Sequence, residues 1–390
     1  MRKRGRKSMA NYDYEIVNGR KIRVRPKETV SEIDKNGYFR RQPNHFTTPF
    51  GDGENDLKAE GNKRYRLVWA KLCHWSNRAA IVRELEGLED QISVNMVEHA
   101  PHEKNLGWEY VYNENNIDPV LGDQFLSEAY YRADDDYQGR TTVPALIDTT
   151  TGKVVNNDYN WLTTYFEVNF RPWHKKGVPE LYPVELREEI DKMNLWLFDN
   201  INNAVYRSSF SRSNEGHFDG VNTFYAAMDH LEKRLETNRF LFGDYVTDSD
   251  IRLYVTLARL DIRYTAQLGE TKRPLYTYKN LWGYAKELWE IPAFAHHTDF
   301  AAIIRQGRIE GEEDGFRAST HYDLALPKID WDAQWKVSTE RAYLSSDPTH
   351  PIYLGNNRRF DIDPTWYDLG AESPKKEEKE TPPSCGCCCG

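Results

Sequence analysis

Cysteine is scarce in this chain. The first 384 of its 390 residues contain only Cys73, and the other four, Cys385, Cys387, Cys388 and Cys389, stand in the last six positions. A body with a single thiol cannot be held together by internal disulfides, which excludes a disulfide-rich secreted domain and fits a reducing compartment. We therefore expect a cytoplasmic protein.

Long apolar runs are also missing. No stretch approaches the roughly 18 consecutive apolar residues that span a bilayer. The basic residues 1–7 are followed by polar residues rather than by the apolar core of a secretory signal. We interpret residues 1–8 as a leader, or as sequence upstream of a start at Met9, and we expect no membrane partner.

Positive charge is in short supply. The 52 Lys and Arg residues against 61 Asp and Glu give a net charge of −9, and the body of the sequence has no basic patch. Such a molecule repels a phosphate backbone, so we expect no nucleic-acid partner. The 13% aromatic content argues against general disorder, and 390 residues suit two domains with extensions.

The first 172 residues divide into an arm and a mixed domain. Residues 1–60 are polar, with Gly, Asn and Pro clusters, and we expect an irregular arm lying against the body. Residues 61–172 show strand and helix patterns in the order βαβα and then ββα, which is the order of a thioredoxin-like α/β domain. In that fold the proline after a β-branched residue, here Pro144, is often cis. The predicted strands are 65–69, 92–97, 142–147 and 153–155, and the predicted helices are 79–88, 125–132 and 161–168.

Helical periodicity dominates after a linker at residues 172–183. Apolar residues recur at steps of three and four, so residues 184–330 are predicted to form an all-α domain. Thr247 and Asp250 fit a capping box that would begin a helix over residues 248–264. Residues 331–370 are interpreted as an irregular extension. Residues 371–390 are interpreted as a disordered, charged linker that ends in the cysteine-rich tail.

Cys73 follows a predicted strand and precedes a predicted helix. Amide hydrogens and the helix dipole at that junction stabilise an anion, so we expect the thiol to ionise more readily than a free one. Arg78 and a protonated His74 would add positive charge. Ser76 stands where a second cysteine could resolve a disulfide, so a mixed disulfide at Cys73 would need an external thiol. A buried core cysteine is the alternative, and position alone does not decide between the two.

Several ordered segments resemble one family, the glutathionyl-hydroquinone reductases, which are Xi-class glutathione transferases of the cysteine type. Cys73-His-Trp-Ser-Asn-Arg78 and the helix after it resemble the family's Cys-Pro-Trp-Ala-His-Arg segment and its helix. The resemblance covers roughly residues 30–305. Its other segments are 36–41, 107–108, 135–144, 155–158, 190–206 and 250–261.

The resemblance implies a fold, a reaction and a set of site residues. The implied fold is a thioredoxin-like domain that binds glutathione, followed by an all-α glutathione-transferase domain that closes the pocket for the second substrate, usually in a homodimer. Cys73 would attack the sulfur of a glutathionyl-hydroquinone, and a second glutathione would reduce the mixed disulfide. The candidate glutathione-binding residues are Trp108, Val143, Pro144, Asp158, Tyr159 and Arg78, and the candidate catalytic residues are Cys73, Tyr206 and Tyr264.

The chemistry of these residues suits the implied roles. A carboxylate at Asp158 matches an ammonium group, an extended backbone at Val143 matches a peptide, and the Trp108 indole offers a flat apolar wall. A phenol at Tyr206 or Tyr264 could protonate a leaving phenolate. Each also has a structural alternative, which is core packing for Trp108 and the tyrosines and a helix cap for Asp158.

The chain departs from the family pattern in several places. His74 replaces Pro, Ser76 replaces Ala, and Asp158-Tyr159 replaces Glu-Ser. The family's Ser-His-Lys/Arg-x-x-Asn-Pro segment is missing, and residues 316–324 stand in its place. Another low-molecular-weight thiol could therefore replace glutathione. Addition of a thiol to an aromatic electrophile, reductive dehalogenation, and a catalytically inactive interaction module are the alternative functions.

The cysteine-rich tail has several possible uses. Four soft ligands are enough in number for Zn²⁺ or Cu(I), but their crowding argues against one metal site, and no metal is expected in the folded domains. Intermolecular bridging, lipidation or a solvated tail are the other interpretations. A further hypothesis is that the tail reaches Cys73 and resolves its mixed disulfide.

Overall fold

The computed structural model describes residues 12–25, 31–99, 105–269, 273–304 and 329–346. The predicted leader, segment 316–324, residues 347–370 of the predicted extension, and the linker with its cysteine-rich tail all lie outside the described residues. No helix in the described ranges is long and apolar enough to cross a membrane.

A hairpin opens the arm, where the sequence predicts an irregular chain. Strand β1 (Tyr14–Val17) pairs antiparallel with β2 (Arg20–Arg23). The turn between them is Asn18-Gly19, and both residues have positive φ, 51° and 78°. This is the backbone that a two-residue hairpin turn requires, and Asn-Gly adopts it readily. From residue 31 the arm is mostly irregular and crosses both domains.

The strands after the hairpin are β3 (Tyr65–Trp69), β4 (Ile92–Met96), β5 (Glu98–His99), β6 (Trp108–Glu109), β7 (Ala145–Asp148) and β8 (Lys153–Asn156). The N-terminal domain is built on a four-stranded sheet in the order β4-β3-β7-β8. β3 is parallel to β4 and antiparallel to β7, and β7 is antiparallel to β8. The order confirms the predicted thioredoxin-like topology, and the Val143–Pro144 bond is cis as predicted.

Helices cover the sheet and form the second domain. In the first domain they are α1 (His74–Leu85), α2 (Leu126–Ala133) and α3 (Leu162–Val168). In the second they are α4 (Arg187–Leu197), α5 (Ala204–Phe210), α6 (Asn214–Arg234), α7 (Asp248–Arg259), α8 (Thr265–Gln267), α9 (Lys279–Trp289) and α10 (Pro292–His297). A short helix, α11 (Trp331–Trp335), begins the stretch predicted to be an irregular extension, which is wrong at this point because the side chain of Trp335 packs into the core of the helical domain. Wider, π-type turns, Phe198–Asn202 and Leu260–Tyr264, follow α4 and α7.

Helix α1 begins five residues earlier than predicted, at His74. It packs against α3 in its own domain and against α7 and α10 of the helical domain. Since both sides are covered, nearly all of its residues are buried, polar ones included, and its first turn has no amphipathic pattern to read. The helix ends as expected near Gly87, whose φ is 64°.

Helix α7 begins at the predicted capping box. The Asp250 carboxylate accepts hydrogen bonds from the Thr247 amide (2.8 Å), the Thr247 hydroxyl (2.9 Å) and the Leu241 amide (2.9 Å). Tyr284 donates a fourth, at 2.8 Å. The predicted helix over 248–264 is present, with its last turn widened to π geometry. The helix that contacts α1 is therefore fixed at its start by local sequence.

Candidate active site

Cys73 precedes the first helical residue of α1. Its φ and ψ of −85° and 118° are extended, as is usual for an N-cap residue, and its carbonyl accepts the Asn77 amide hydrogen (2.9 Å). The side chain is 8% exposed, and Sγ lies 3.8 Å from the Val143 carbonyl oxygen. The thiol thus lies at a helix end whose amide hydrogens and dipole favour an anion.

Side chains from both domains form hydrogen bonds to residues 70–72, the turn that precedes Cys73. The Ser76 hydroxyl lies 3.1 Å from the amide nitrogen and 3.1 Å from the carbonyl oxygen of Ala70, so it bonds to the turn itself. From α7, Arg259 donates to the carbonyls of Leu72 (Nε, 2.8 Å) and Lys71 (Nη2, 2.9 Å). The position of the Cys73 thiol therefore depends on the helical domain.

His74 is a neutral, buried residue. Its Nδ1 lies 3.0 Å from the Thr256 hydroxyl, and its ring faces Tyr206 and Tyr264 at 5.2 and 5.8 Å between centroids. Burial, reinforced by Arg259, lowers its pKa well below 6.5. The expectation that a protonated His74 adds positive charge beside the thiol is therefore wrong, because no solvent reaches the ring to support the charge.

Arg78 lies a turn further along α1 and donates to the Tyr159 carbonyl. Burial, with Arg252 nearby, lowers the pKa of Arg78 to about 9. The guanidinium thus ties α1 to the loop after β8, which carries Asp158. A direct contact between Arg78 and glutathione stays a prediction.

Trp108 lies in the same apolar cluster as Cys73 and Val143. Its indole N–H donates to the Thr141 carbonyl (3.1 Å), and its ring packs against His99 with 3.8 Å between centroids. The donor is thus used within the protein. What the indole can offer a ligand is an apolar surface.

Asp158 and Tyr159 follow β8. Asp158 Oδ1 accepts hydrogen bonds from Asn44 of the arm and from the Asn160 amide, both at 3.0 Å. The carboxylate thus joins a turn and the arm. The Tyr159 ring is 8% exposed and packs on Trp75, with 4.7 Å between centroids.

Tyr206 and Tyr264 meet across His74. Their ring centroids are 6.4 Å apart. The Tyr264 hydroxyl is buried and has no hydrogen-bond partner among the described residues. Burial, with Tyr206 adding to it, raises the pKa of Tyr264 well above 10. The Tyr264 phenol therefore stays protonated, and its O–H group is available to donate a hydrogen bond or a proton to a bound ligand.

The chain is similar to known proteins over most of its length. A family model described as the glutathione S-transferase C-terminal domain matches residues 205–287. A relative from Schizosaccharomyces pombe, glutathione S-transferase omega-like 2, is 35% identical over an alignment of 280 residues that covers 69% of this chain and 88% of the relative.

Two further comparisons indicate which class of glutathione transferase the chain resembles. The glutathionyl-hydroquinone reductase YqjG of Escherichia coli is 32% identical over 240 residues, 62% of this chain and 73% of the relative. The crystal structure of the glutathione S-transferase Xi of Phanerochaete chrysosporium has a TM-score of 0.63 and 33% identity, over 69% of this chain and 87% of that one. The chain belongs to the glutathionyl-hydroquinone reductase family, the Xi-class glutathione transferases. It is an enzyme of this class, and the predicted fold, a thioredoxin-like domain followed by an all-α transferase domain, is confirmed.

Three site residues of this Xi-class enzyme escape prediction from the sequence. Arg41 and Asn44 come from the arm, and Arg259 comes from α7. Two of the three lie in segments that resemble the family: Arg41 is the last residue of segment 36–41, and Arg259 lies in segment 250–261. Nothing in either segment tells which side chain contacts the residues around the candidate site.

Metal ligation has no candidate in the described part of the Xi-class enzyme. No group of three or more His, Cys, Asp or Glu side chains there could hold an ion. The cysteine-rich tail lies outside that part, so the interpretations of its use stay open.

Proposed function

We propose that the enzyme is a glutathionyl-hydroquinone reductase that works through a mixed disulfide on Cys73. One observation carries the proposal: a lone thiol at the N-terminal end of α1 shares its surroundings with a buried phenol, Tyr264, that has no hydrogen-bond partner among the described residues. The names of the relatives, a glutathionyl-hydroquinone reductase and glutathione transferases, support glutathione as co-substrate.

The first step forms a disulfide. The Cys73 thiolate attacks the sulfur of the conjugate, an S–S bond forms, and the bond between that sulfur and the ring carbon breaks. The electron pair of the broken bond goes to the ring, and a proton supplied by Tyr264, or by Tyr206 beside it, completes the hydroquinone. The ring is reduced, and the two sulfurs are oxidised to the disulfide.

The second step needs an external thiol, because Ser76 stands where a resolving cysteine would be. The thiolate of a second glutathione attacks the glutathione sulfur of the mixed disulfide, and oxidised glutathione leaves. Cys73 returns as a thiolate, and Tyr264 regains a proton from solvent. The net reaction consumes one conjugate and one glutathione and yields one hydroquinone and one oxidised glutathione.

Glutathione would be held along the edge beside Cys73. In the proposal, the backbone of Val143, before Pro144, pairs with the tripeptide, and Trp108 forms an apolar wall. Asp158 takes the γ-glutamyl ammonium in addition to Asn44, since a carboxylate can accept several donors. Tyr159 and Arg78 complete the set of proposed binding residues.

The function is tested by following hydroquinone release from a glutathionyl-hydroquinone with glutathione as reductant. Wild type should release hydroquinone with one oxidised glutathione per turnover, and Cys73→Ser should fall to the uncatalysed rate. A chain that ends at Ser384, which keeps Cys73 as its only cysteine, is the matched control and should keep the wild-type rate. Release by Cys73→Ser, or a thioether adduct as the product, would contradict the proposal.

Two further properties follow from membership of the family as proposals. We expect a homodimer and a cytoplasmic location. Sedimentation equilibrium of the purified chain and fractionation of its cells test them, and a monomer at micromolar concentration would contradict the first.

A further inference from the structure

We propose that Arg41, contributed by the arm, binds an anionic oxygen on the ring of the second substrate, so that conjugates of acidic aromatics are the preferred substrates. The proposal rests on the reductase function proposed above and names the substrate class within it.

Arg41 lies over the aromatic residues beside the thiol. Its guanidinium carbon is 4.4 Å from the centroid of the Tyr206 ring and 4.7 Å from that of Trp75. Its Nε donates to the Asn203 amide oxygen at 2.9 Å, which fixes the plane of the group. Trp75 follows Cys73 by two residues, so in the proposal an aromatic ring whose sulfur meets Cys73 lies beside this group of aromatic residues, and the in-plane edge of the Arg41 guanidinium faces an oxygen of that ring.

One donor of this group has no acceptor among the residues that the structure describes: Arg41 Nη2, which is shielded from solvent. A buried, charged donor without an acceptor is costly, and such atoms usually have a bound partner in the working state. Arg23 Nη2 also lacks an acceptor within those residues, but the Arg23 guanidinium lies between the rings of Tyr12 and Tyr131.

The carboxylates near Arg41 have other partners. Glu32 forms a two-point ion pair with Arg140, at 2.8 and 2.9 Å, and also accepts the Gln42 amide hydrogen. Asp158 accepts from Asn44 and the following turn. The positive charge of Arg41 is therefore not consumed by an internal ion pair among these groups.

Three other basic residues near the thiol are engaged within the protein or uncharged. Arg259 holds the turn before Cys73, Arg78 donates to the Tyr159 carbonyl, and His74 is neutral. A guanidinium fits a carboxylate or phenolate oxygen in its own plane, whereas aromatic rings occupy its faces. Arg41 thus has a donor, without an acceptor among the described residues, that can select a charged ring.

The test compares two conjugates that differ in charge. The probes are the glutathionyl conjugates of 2,5-dihydroxybenzoate and of its methyl ester, with kcat and KM measured for hydroquinone release. Wild type should prefer the acid. Arg41→Gln should lose about 10- to 100-fold in kcat/KM on the acid, mainly through KM, and much less on the ester. Arg41→Lys should recover part of the loss because it keeps the charge.

The matched control is Arg40→Gln. Arg40 is the neighbouring arginine, is exposed, and pairs with Asp34 at 3.0 Å, so the variant should keep the wild-type preference. Equal losses on acid and ester in Arg41→Gln would mean that Arg41 only anchors the arm and would overturn the proposal. So would a wild type that prefers the ester or treats both alike.

A binding measurement separates this proposal from the reductase function. Calorimetry on Cys73→Ser and on Cys73→Ser combined with Arg41→Gln reports affinity for both conjugates without turnover. If wild type releases hydroquinone from neither conjugate, the reductase function fails. A preference for the acid that needs Arg41 would still support the anion site, and equal affinities would overturn it.

Discussion

Among single residues, Tyr264 is the proposed proton donor, and its buried hydroxyl has no hydrogen-bond partner among the described residues. Replacing it with Phe should lower kcat for hydroquinone release by about 100-fold, because a positioned proton donor contributes roughly that much or more. Stability should be unchanged or slightly higher, since a buried hydroxyl without a partner is removed. Single-turnover release and thermal unfolding measure the two effects.

Tyr278→Phe is the control for that substitution. Tyr278 is buried in the helical domain and its hydroxyl also lacks a partner among the described residues, but none of its ring contacts involves the site. It should keep the wild-type kcat. If both variants turn over equally fast, Tyr264 is not the proton donor.

His74 makes stability depend on pH. The pKa of His74 in the folded protein lies well below 6.5. Below about pH 6.5 this side chain therefore binds a proton in the unfolded chain but not in the folded one. Stability should therefore fall as the pH decreases from about 6.5, by up to about 1.4 kcal/mol per pH unit from this group. Urea unfolding of wild type and His74→Gln at about pH 7.5 and 5.5 measures how much His74 contributes to the change in the free energy of unfolding with pH. An identical pH dependence in both proteins would count against a neutral, buried His74.

The residue scale is also where sequence and structure differ most. The position of Cys73 between a strand and a helix is predictable, because the strand before it and the later turns of α1 have recognisable apolar patterns. The charge state of His74 is not, because Thr256, Tyr206 and Tyr264, which cover it, lie more than a hundred residues away in the chain. Contacts over such separations leave no local pattern to read.

At the scale of elements, the start of α7 is both predictable and testable. Asp250→Ala leaves the amides of Thr247 and Leu241 and the Tyr284 hydroxyl without their acceptor in a buried place. The expected loss in the free energy of unfolding is about 3 kcal/mol or more, since each unpaired buried donor costs about 1–3 kcal/mol.

A second carboxylate in the same domain serves for comparison. Asp229 pairs with Arg273 at the surface, where its side chain is 55% exposed. Asp229→Ala should cost less than about 1 kcal/mol, as exposed ion pairs do. Chemical denaturation of both variants measures the two losses in the free energy of unfolding. Similar losses would mean that the buried capping box contributes no more to stability than an exposed ion pair.

Most elements are predictable from their own sequence, and the first turn of α1 is not. The sheet strands are short apolar or alternating runs, and the helices of the second domain have apolar stripes. The first turn of α1 is polar and yet buried, because α3 lies on one side and α7 and α10 lie on the other. The β1–β2 hairpin was missed although its Asn18-Gly19 turn is a strong local signal.

At the scale of the whole molecule, Arg259 joins the two domains. It donates to the Lys71 and Leu72 carbonyls and, through Nη1, to Asn77 Oδ1 at 3.2 Å. Arg259→Ala leaves these acceptors buried, so we expect a loss of more than about 3 kcal/mol and separate unfolding of the two domains in calorimetry. Arg171→Ala, which removes a surface ion pair with Glu180, should unfold like wild type within about 1 kcal/mol. A single, unshifted transition in Arg259→Ala would contradict this role.

In the proposed reaction, Cys73 carries the glutathione during turnover. This is measured directly by mass spectrometry of the protein after one equivalent of glutathionyl-hydroquinone is added without free glutathione. We expect one glutathione per chain, located on Cys73 by peptide mapping, with one hydroquinone released and the adduct lost when glutathione is added. Stoichiometric hydroquinone release with no adduct on Cys73 would contradict it.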